Sequence, residues 1–237
     1  MKKVYILPNL VTTANMLCGF GSMIYAIDGD YSRSAWAILF AAFFDAMDGR
    51  IARLAKATSQ FGVEYDSLSD LISFGVAPAI LIYLSMLQTL GRVGGIIAFL
   101  FTVAGALRLA RFNVTVHLIP KGFFQGLPIP MGAGIVATFM IFYQSWKGTT
   151  SPPMEVGVLM TVALALLMVS TIPFPSFKEV NWRSKASIHY LPFAVTLIVL
   201  IAISPEVVLF SILSLYVLLA LIWNIWRLAF RKRHQVA

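Results

Sequence analysis

The sequence is short of charged residues: Asp, Glu, Lys and Arg make up 12% of its 237 residues, whereas a typical soluble domain has about 25%. Hydrophobic residues make up 59%, and the mean hydropathy is +0.84. A soluble domain of this size exposes a large polar surface and cannot bury so much apolar side chain. The composition therefore excludes a soluble enzyme, a disordered chain and a nucleic-acid-binding domain, and it predicts an all-α protein that crosses the membrane several times.

Cysteine and histidine are also scarce. The one cysteine, Cys18, lies in an apolar run, so the sequence has neither an internal disulfide nor a cysteine metal cluster. The three histidines, His117, His189 and His234, are scattered and do not have the spacing of a metal site. Any metal bound by this chain should therefore have oxygen ligands.

Long polar segments are absent, so we expect one integral membrane domain over residues 1–237. A membrane-spanning helix needs about 20 mostly apolar residues. The sequence has eight candidates: 4–27, 35–55, 67–87, 93–112, 129–146, 156–173, 188–203 and 206–228. Only Ser204, Pro205 and Glu206 divide the last two, so a single kinked helix is the alternative there.

The basic residues divide unequally between the two sides that eight spans would define. Only Arg33, Arg92 and Lys147 fall on one side. The other 15 of the 18 fall on the side of both termini: Lys2, Lys3, Arg50, Arg53, Lys56, Arg108, Arg111, Lys121, Lys178, Arg183, Lys185, Arg227, Arg231, Lys232 and Arg233. Because cytoplasmic loops are enriched in Lys and Arg, this division predicts eight spans with both termini cytoplasmic. Fusion of the last two spans would place the basic C-terminus outside.

Acidic residues are few, and half of the ten lie within 26 residues: Asp45, Asp48, Glu64, Asp66 and Asp70. A carboxylate at membrane depth is costly, so its presence indicates a functional site. Asp45 and Asp48 (i, i+3) share one helix face, and Asp66 and Asp70 (i, i+4) share another. Spans two and three are antiparallel neighbours, so we expect these four carboxylates to converge near the cytoplasmic membrane surface.

Four carboxylates in one place need neutralisation. An oxygen-only ligand set suits Mg²⁺ or Mn²⁺, with Ca²⁺ as a further candidate. There is room for two ions, an arrangement that stabilises attacking and leaving oxygens in phosphoryl chemistry. Gly49, Ala52 and Gly62 would let a ligand approach the backbone, and Arg53 offers a planar donor fork to phosphate.

These residues follow the pattern D-x2-D-G-x2-A-R-x8-G-x3-D-x3-D from Asp45 to Asp70. The pattern resembles the signature of the CDP-alcohol phosphatidyltransferases, and every signature position is present. Softer motifs within residues 7–134 are similar to those of the bacterial and archaeal family members that use serine. They lie at 7–10, at Asn15 and 18–20, at 65–70 and 73–79, at 108–113 and at 126–130.

The resemblance implies a reaction in which the hydroxyl of L-serine attacks the β-phosphorus of CDP-diacylglycerol, so that phosphatidylserine forms and CMP leaves. It implies that Asp45, Asp48, Asp66 and Asp70 hold the divalent metal, and that Asp70 also acts as general base. It further implies a homodimer in the cytoplasmic membrane, with the active site on the cytoplasmic side.

The same resemblance assigns the remaining residues of the signature to the nucleotide. Gly49, Ala52 and Gly62 would leave room for cytidine and ribose, and Arg53 would contact phosphate or the neighbouring carboxylates. Asn9, Thr12 and Asn15 lie broadly on one face of the first span. They could line the nucleotide site, and interhelical contacts are the alternative.

Serine brings a carboxylate that needs a cation. Arg108 and Arg111 lie at the cytoplasmic end of span four, and a guanidinium can bind a carboxylate through two hydrogen bonds. Arg111 is the first candidate for this contact and Arg108 the second. Asn113 is a possible polar partner and Lys121 a looser candidate. The alternative for both arginines is anchoring to anionic lipid.

Two other functions fit parts of this pattern. A cation transporter should have acids deep in several spans or an inverted repeat, and the sequence has neither. A related enzyme acting on glycerol 3-phosphate, inositol phosphate or another alcohol is the second alternative. A phosphorylated acceptor should need more cations than Arg108, Arg111 and Lys121 supply. The sequence does not distinguish diacyl from archaeal ether lipid tails.

Overall fold

The structure is a computed structural model that describes residues 6–54, 59–115, 123–149, 151–175 and 187–233. Side chains are described in these ranges except at 6, 52–53, 123, 187–194 and 228–233. The described chain forms eight helices: α1 (Ile6–Ile27), α2 (Tyr31–Leu54), α3 (Gln60–Leu90), α4 (Arg92–Thr115), α5 (Ile129–Lys147), α6 (Met154–Val169), α7 (Ser187–Ile203) and α8 (Pro205–Arg233). Each predicted span coincides with one helix.

Four helices of the described chain are long and apolar enough to cross a bilayer: Leu7–Ile27, Gln60–Leu90, Arg92–Thr115 and Pro205–Arg227. Met154–Val169 is apolar but shorter. Large apolar side chains such as Leu17, Phe99 and Ile222 are exposed on these helices, as expected for surfaces that face lipid. The fold is therefore that of a helical membrane protein. The number of helices that cross the membrane, and the side of the termini, stay predictions.

Helices α1 and α2 pack along each other as a hairpin, and α3 packs against α1. The hairpin turn contains Gly29, whose φ of +81° is a conformation that favours glycine. Where α1 meets α3, Gly19 lies against Ser73, and a Cβ at Gly19 would be 2.4 Å from Ser73 Oγ. The absence of a side chain at Gly19 therefore permits the close approach of the two helices.

Helix α3 changes its winding directly after Asp70. It is α-helical over Gln60–Asp70, a π-helix over Leu71–Val76, α-helical over Ala77–Ile82, a π-helix over Tyr83–Leu87 and a 3₁₀-helix over Gln88–Leu90. In the first π segment the carbonyl of Gly75 accepts a hydrogen bond from Thr102 Oγ1 of α4 at 3.2 Å. Short π segments of this kind occur frequently at functional sites.

The core lies between α2, α3, α4, α5 and α6, where α2 packs on α5 and α4 packs on α6. Phe74, Phe101, Ile129 and Met168 are fully buried there. Helix α8 packs on α5. It is separate from α7, because the chain leaves helical geometry at Ser204.

The prediction of an all-α chain misses one small sheet. Strands β1 (Phe123–Gln125) and β2 (Pro173–Pro175) pair antiparallel, with Phe124 opposite Phe174. The sheet joins the segment before α5 to the segment after α6. The ring centroid of Phe124 in β1 lies 6.2 Å from that of Phe112 in α4, so the sheet lies beside the end of α4 that carries the predicted acceptor-binding residues.

Candidate active site

Helices α2 and α3 bring three of the predicted carboxylates into one cluster. Asp45, Asp48 and Asp66 each offer an oxygen, and these oxygens all lie within 4.8 Å of one another. Asp48 is buried, with 5% of its surface exposed, and the other two are half-buried. The cluster forms because Asp45 and Asp48 are one helical turn apart on α2, opposite Asp66 on α3.

Asp70 stands beside this trio rather than within it. It is 9% exposed, forms a side-chain hydrogen bond with Asp45, and accepts one from Asn15 Nδ2 at 3.3 Å. Asp70 is therefore in contact with Asp45, one of the candidate metal ligands, and also with Asn15 of α1.

Helix α1 supplies the polar face that its sequence predicts. Thr12 Oγ1 donates a hydrogen bond to Asp48 Oδ2 at 3.0 Å, and Asn15 reaches Asp70 as described. Asn9 faces Gly62 of α3, where an added Cβ would lie 3.6 Å from Asn9 Oδ1. Thr12 and Asn15 thus make interhelical contacts, and those contacts are with the aspartates.

Sequence reasoning missed the hydroxyls of α3 that hold α1 in register. Ser69 Oγ donates to the Thr12 carbonyl at 3.1 Å, and Ser73 Oγ donates to the Asn15 carbonyl at 3.0 Å. The signal was present, because positions 66, 69, 70 and 73 follow the i, i+3, i+4, i+7 spacing of one helix face. A further contact between the same helices joins Tyr65 OH to Thr13 Oγ1 at 2.9 Å.

The two arginines of α4 have different surroundings. Arg108 is 6% exposed, and its guanidinium carbon lies 5.1 Å from the ring centroid of Phe112 and 5.8 Å from that of Phe124. Its charge interacts with that of Asp70. Arg111 is half-buried, and its NH1 donates to the Val169 and Ser170 carbonyls at 2.8 and 3.2 Å, at the end of α6.

The other predicted site residues are placed as follows. Asn113 Nδ2 donates to Ser67 Oγ at 3.0 Å and so joins α4 to α3 next to Asp66. Gly49 is half-buried and directly follows Asp48. The side chains of Ala52 and Arg53, and the whole of Lys121, lie outside the described residues.

Three buried side-chain atoms in the described ranges have no hydrogen-bond partner: Asn15 Oδ1, Asp66 Oδ1 and Arg108 Nε. Buried polar groups in folded proteins are nearly always paired, so each exception needs an explanation. All three belong to residues of this one site. The unpaired oxygen of Asp66, within a set of carboxylate oxygens, fits a hard divalent cation.

Comparisons with known proteins identify the family. Residues 5–173 match the family profile described as CDP-alcohol phosphatidyltransferase. The CDP-diacylglycerol–serine O-phosphatidyltransferase of Helicobacter pylori strain 26695 is 35% identical over 222 residues, which cover 92% of this chain and 91% of the relative. The proteins of the same name from Methanocaldococcus jannaschii and Bacillus subtilis are 34% and 35% identical. Their matches cover 75% and 73% of this chain, and 77% and 92% of the relatives. The chain, which carries the complete aspartate signature within the matched residues, belongs to the CDP-alcohol phosphatidyltransferase family.

Proposed function

We propose that this enzyme transfers the phosphatidyl group of CDP-diacylglycerol to the hydroxyl of L-serine, with formation of phosphatidylserine and release of CMP. The family supplies the reaction class. The observation that supports serine is the buried Arg108, a cation whose charge interacts with that of Asp70. Relatives that carry serine in their names, and that match most of the chain, support the same acceptor.

In this proposal Asp45, Asp48 and Asp66 hold the divalent metal, together with Asp70 beside them. We expect Mg²⁺ or Mn²⁺, with room for two ions, and Ca²⁺ is a further candidate. The bound metal would neutralise the diphosphate of the nucleotide and make its phosphorus easier to attack. The hydroxyl of Thr12 holds Asp48 in a fixed orientation by donating to Oδ2.

The remaining side chains bind the two substrates. Gly49, Ala52, Arg53 and Gly62 are proposed to contact the nucleotide and its diphosphate, together with Asn9 and Thr12 of α1. Arg108, and not the Arg111 that the sequence favours, is the proposed partner of the serine carboxylate. Arg111, Asn113 and Lys121 complete the acceptor side, where the hydrogen bonds of Arg111 to the end of α6 make it the more distant of the two arginines.

Asp70 is the proposed general base. It would take the proton of the serine hydroxyl as the new oxygen–phosphorus bond forms and the bond to CMP breaks. An ordinary carboxylate is a weak base, so the orientation of the two substrates should supply most of the acceleration. We also propose a homodimer, with the site at the cytoplasmic face of the membrane.

The test is an acceptor competition with purified protein and CDP-diacylglycerol. CMP release should require L-serine and should not be supported by glycerol 3-phosphate or inositol phosphate. A preference for glycerol 3-phosphate or inositol phosphate would assign the chain to another branch of the family. CMP release that needs no acceptor alcohol would instead indicate hydrolysis.

A further inference from the structure

The side-chain amide of Asn15 forms a hydrogen bond through its nitrogen and has no partner for its oxygen. The residue is fully buried, with 0% of its surface exposed. Its Nδ2 donates to Asp70 Oδ1 at 3.3 Å, and its Oδ1 has no partner. With Nδ2 directed at Asp70, the carbonyl oxygen of the same amide points away from that carboxyl group. Asn15 therefore holds an unused acceptor next to the proposed base.

The backbone that carries the Asn15 amide is held in place by contacts with α3. The backbone carbonyl of Asn15 accepts a hydrogen bond from Ser73 Oγ at 3.0 Å. One turn earlier, the Thr12 carbonyl accepts from Ser69 Oγ at 3.1 Å. One turn later, Gly19 lies in close contact with Ser73. These contacts fix α1 against α3, so the free carbonyl of Asn15 is presented at a set place beside Asp70.

The unpaired atoms around Asp70 differ in kind. Asn15 Oδ1 is an acceptor that needs a hydrogen-bond donor, whereas Arg108 Nε is a donor on a cation that needs an acceptor. Both residues interact with Asp70, Asn15 through a hydrogen bond and Arg108 through its charge. A ligand that satisfies all three groups would carry a hydroxyl for Asp70, a carboxylate for Arg108 and a hydrogen-bond donor for Asn15, and in serine that donor is the ammonium group.

We infer that Asn15 is a specificity-determining residue for the acceptor, whose ammonium group donates a hydrogen bond to Asn15 Oδ1. The inference deepens the proposed function and rests on it, since it requires an amino-acid acceptor. It places Asn15 on the acceptor side of Asp70, and not on the nucleotide side that its position in the first span suggests. Asn15 also orients Asp70 through Nδ2, so its loss should lower kcat as well.

The test compares serine with two partial analogues as competitive inhibitors of CMP release. Ethanolamine keeps the hydroxyl and the ammonium but lacks the carboxylate, and 3-hydroxypropanoate keeps the carboxylate but lacks the ammonium. Asn15→Ala should raise the KM for serine and the inhibition constant of ethanolamine by roughly 10–100-fold, the effect of losing a hydrogen bond to a charged group. The inhibition constant of 3-hydroxypropanoate and the KM for CDP-diacylglycerol should stay near those of the wild type.

Arg108→Gln provides the converse comparison, because it should raise the inhibition constant of 3-hydroxypropanoate and leave that of ethanolamine unchanged. Thr102→Val is the matched control. It removes one hydroxyl-to-carbonyl bond between α4 and α3 away from Asp70, and it should leave the KM for serine unaltered. If Asn15→Ala does not fold, Asn15→Ser, which keeps a small polar side chain but cannot reach as far, is measured in the same way.

Equal increases of the KM values for serine and for CDP-diacylglycerol in the Asn15 variants would overturn the inference, and so would an unchanged KM for serine. Failure of the proposed function looks different. In that case neither the wild-type protein nor any Asn15 variant would release CMP with serine.

Discussion

The aspartates of α2 and α3 divide into two kinds by their neighbours. Asp48 lies in the trio of converging oxygens, and Thr12 fixes its orientation. Asp70 lies outside the trio and is nearly as buried; it shares a hydrogen bond with Asp45 and accepts one from Asn15. Substitutions of Asp48 and of Asp70 should therefore cause different defects in the enzyme.

Asp70→Asn keeps the size of the side chain but removes the proposed base. We expect kcat to fall by roughly 10²–10⁴-fold, while the affinity for CDP at saturating Mg²⁺ stays close to that of the wild type. Asp48→Asn should instead weaken metal and CDP binding first. Near-normal turnover of serine by Asp70→Asn would show that another group takes the proton.

Removal of the divalent cation tests the metal site formed by Asp45, Asp48 and Asp66. EDTA should abolish CMP release, and added Mg²⁺ or Mn²⁺ should restore it, because three close carboxylates with an unpaired oxygen on Asp66 suit a hard cation. The control is the wild-type protein with EDTA and an equal excess of Mg²⁺. Full activity in excess chelator would contradict the metal assignment.

Much of the site could be predicted from spacing, because the aspartates and the polar residues of α1 recur at helical intervals. The environments of Arg108 and Arg111 could not. Both lie near the end of one helix, and only the packing of α4 sends Arg108 toward Asp70 and Arg111 to the end of α6. Ser69 and Ser73 lie at helical spacing from Asp66 and Asp70, but a search for hydrophobic patterns does not register their hydroxyl groups.

At the scale of the elements, the helices follow from long apolar runs, and their predicted bounds lie within a few residues of the observed ones except at the start of α3. That helix begins at Gln60, capped by Ser59 Oγ, which accepts from the Gly62 amide at 3.0 Å. The sheet was missed because its two three-residue strands are distant in sequence and show no alternation. The π segments of α3 depend on backbone hydrogen-bond register, which residue type does not encode.

The contact between α1 and α3 gives a prediction at this scale. Gly19→Ala would place a Cβ 2.4 Å from Ser73 Oγ and 2.6 Å from Ser73 Cα. We expect the free energy of unfolding in detergent to fall by roughly 1–3 kcal/mol, because the helices must move apart. Activity should fall with it, since Thr12 and Asn15 reach the aspartates across the same contact.

Gly21→Ala is the matched control in the same helix, because a Cβ there meets nothing within 4 Å. Alanine favours helix over glycine by up to about 1 kcal/mol, so this variant should be at least as stable as the wild type. If both variants unfold at the same denaturant concentration, the tight contact at Gly19 does not hold α1 in place.

For the whole molecule, the distribution of charge predicts the orientation in the membrane. Fifteen of the 18 basic residues fall on one side if there are eight spans, so both ends of the chain should be cytoplasmic. Epitope tags placed before residue 1 and after residue 237 should become accessible to protease in the same membrane vesicles. Tags accessible from opposite sides would mean an odd number of spans.

The central claim for the whole molecule is that the carboxylate cluster couples the cleavage of CDP-diacylglycerol to the capture of serine. The most direct measurement follows radiolabelled L-serine and CMP together, with purified protein, CDP-diacylglycerol and Mg²⁺. We predict that labelled lipid and CMP form in equal amounts, and that neither forms with the Asp48→Asn variant. CMP without labelled lipid, or labelled lipid formed equally well by that variant, would contradict the account.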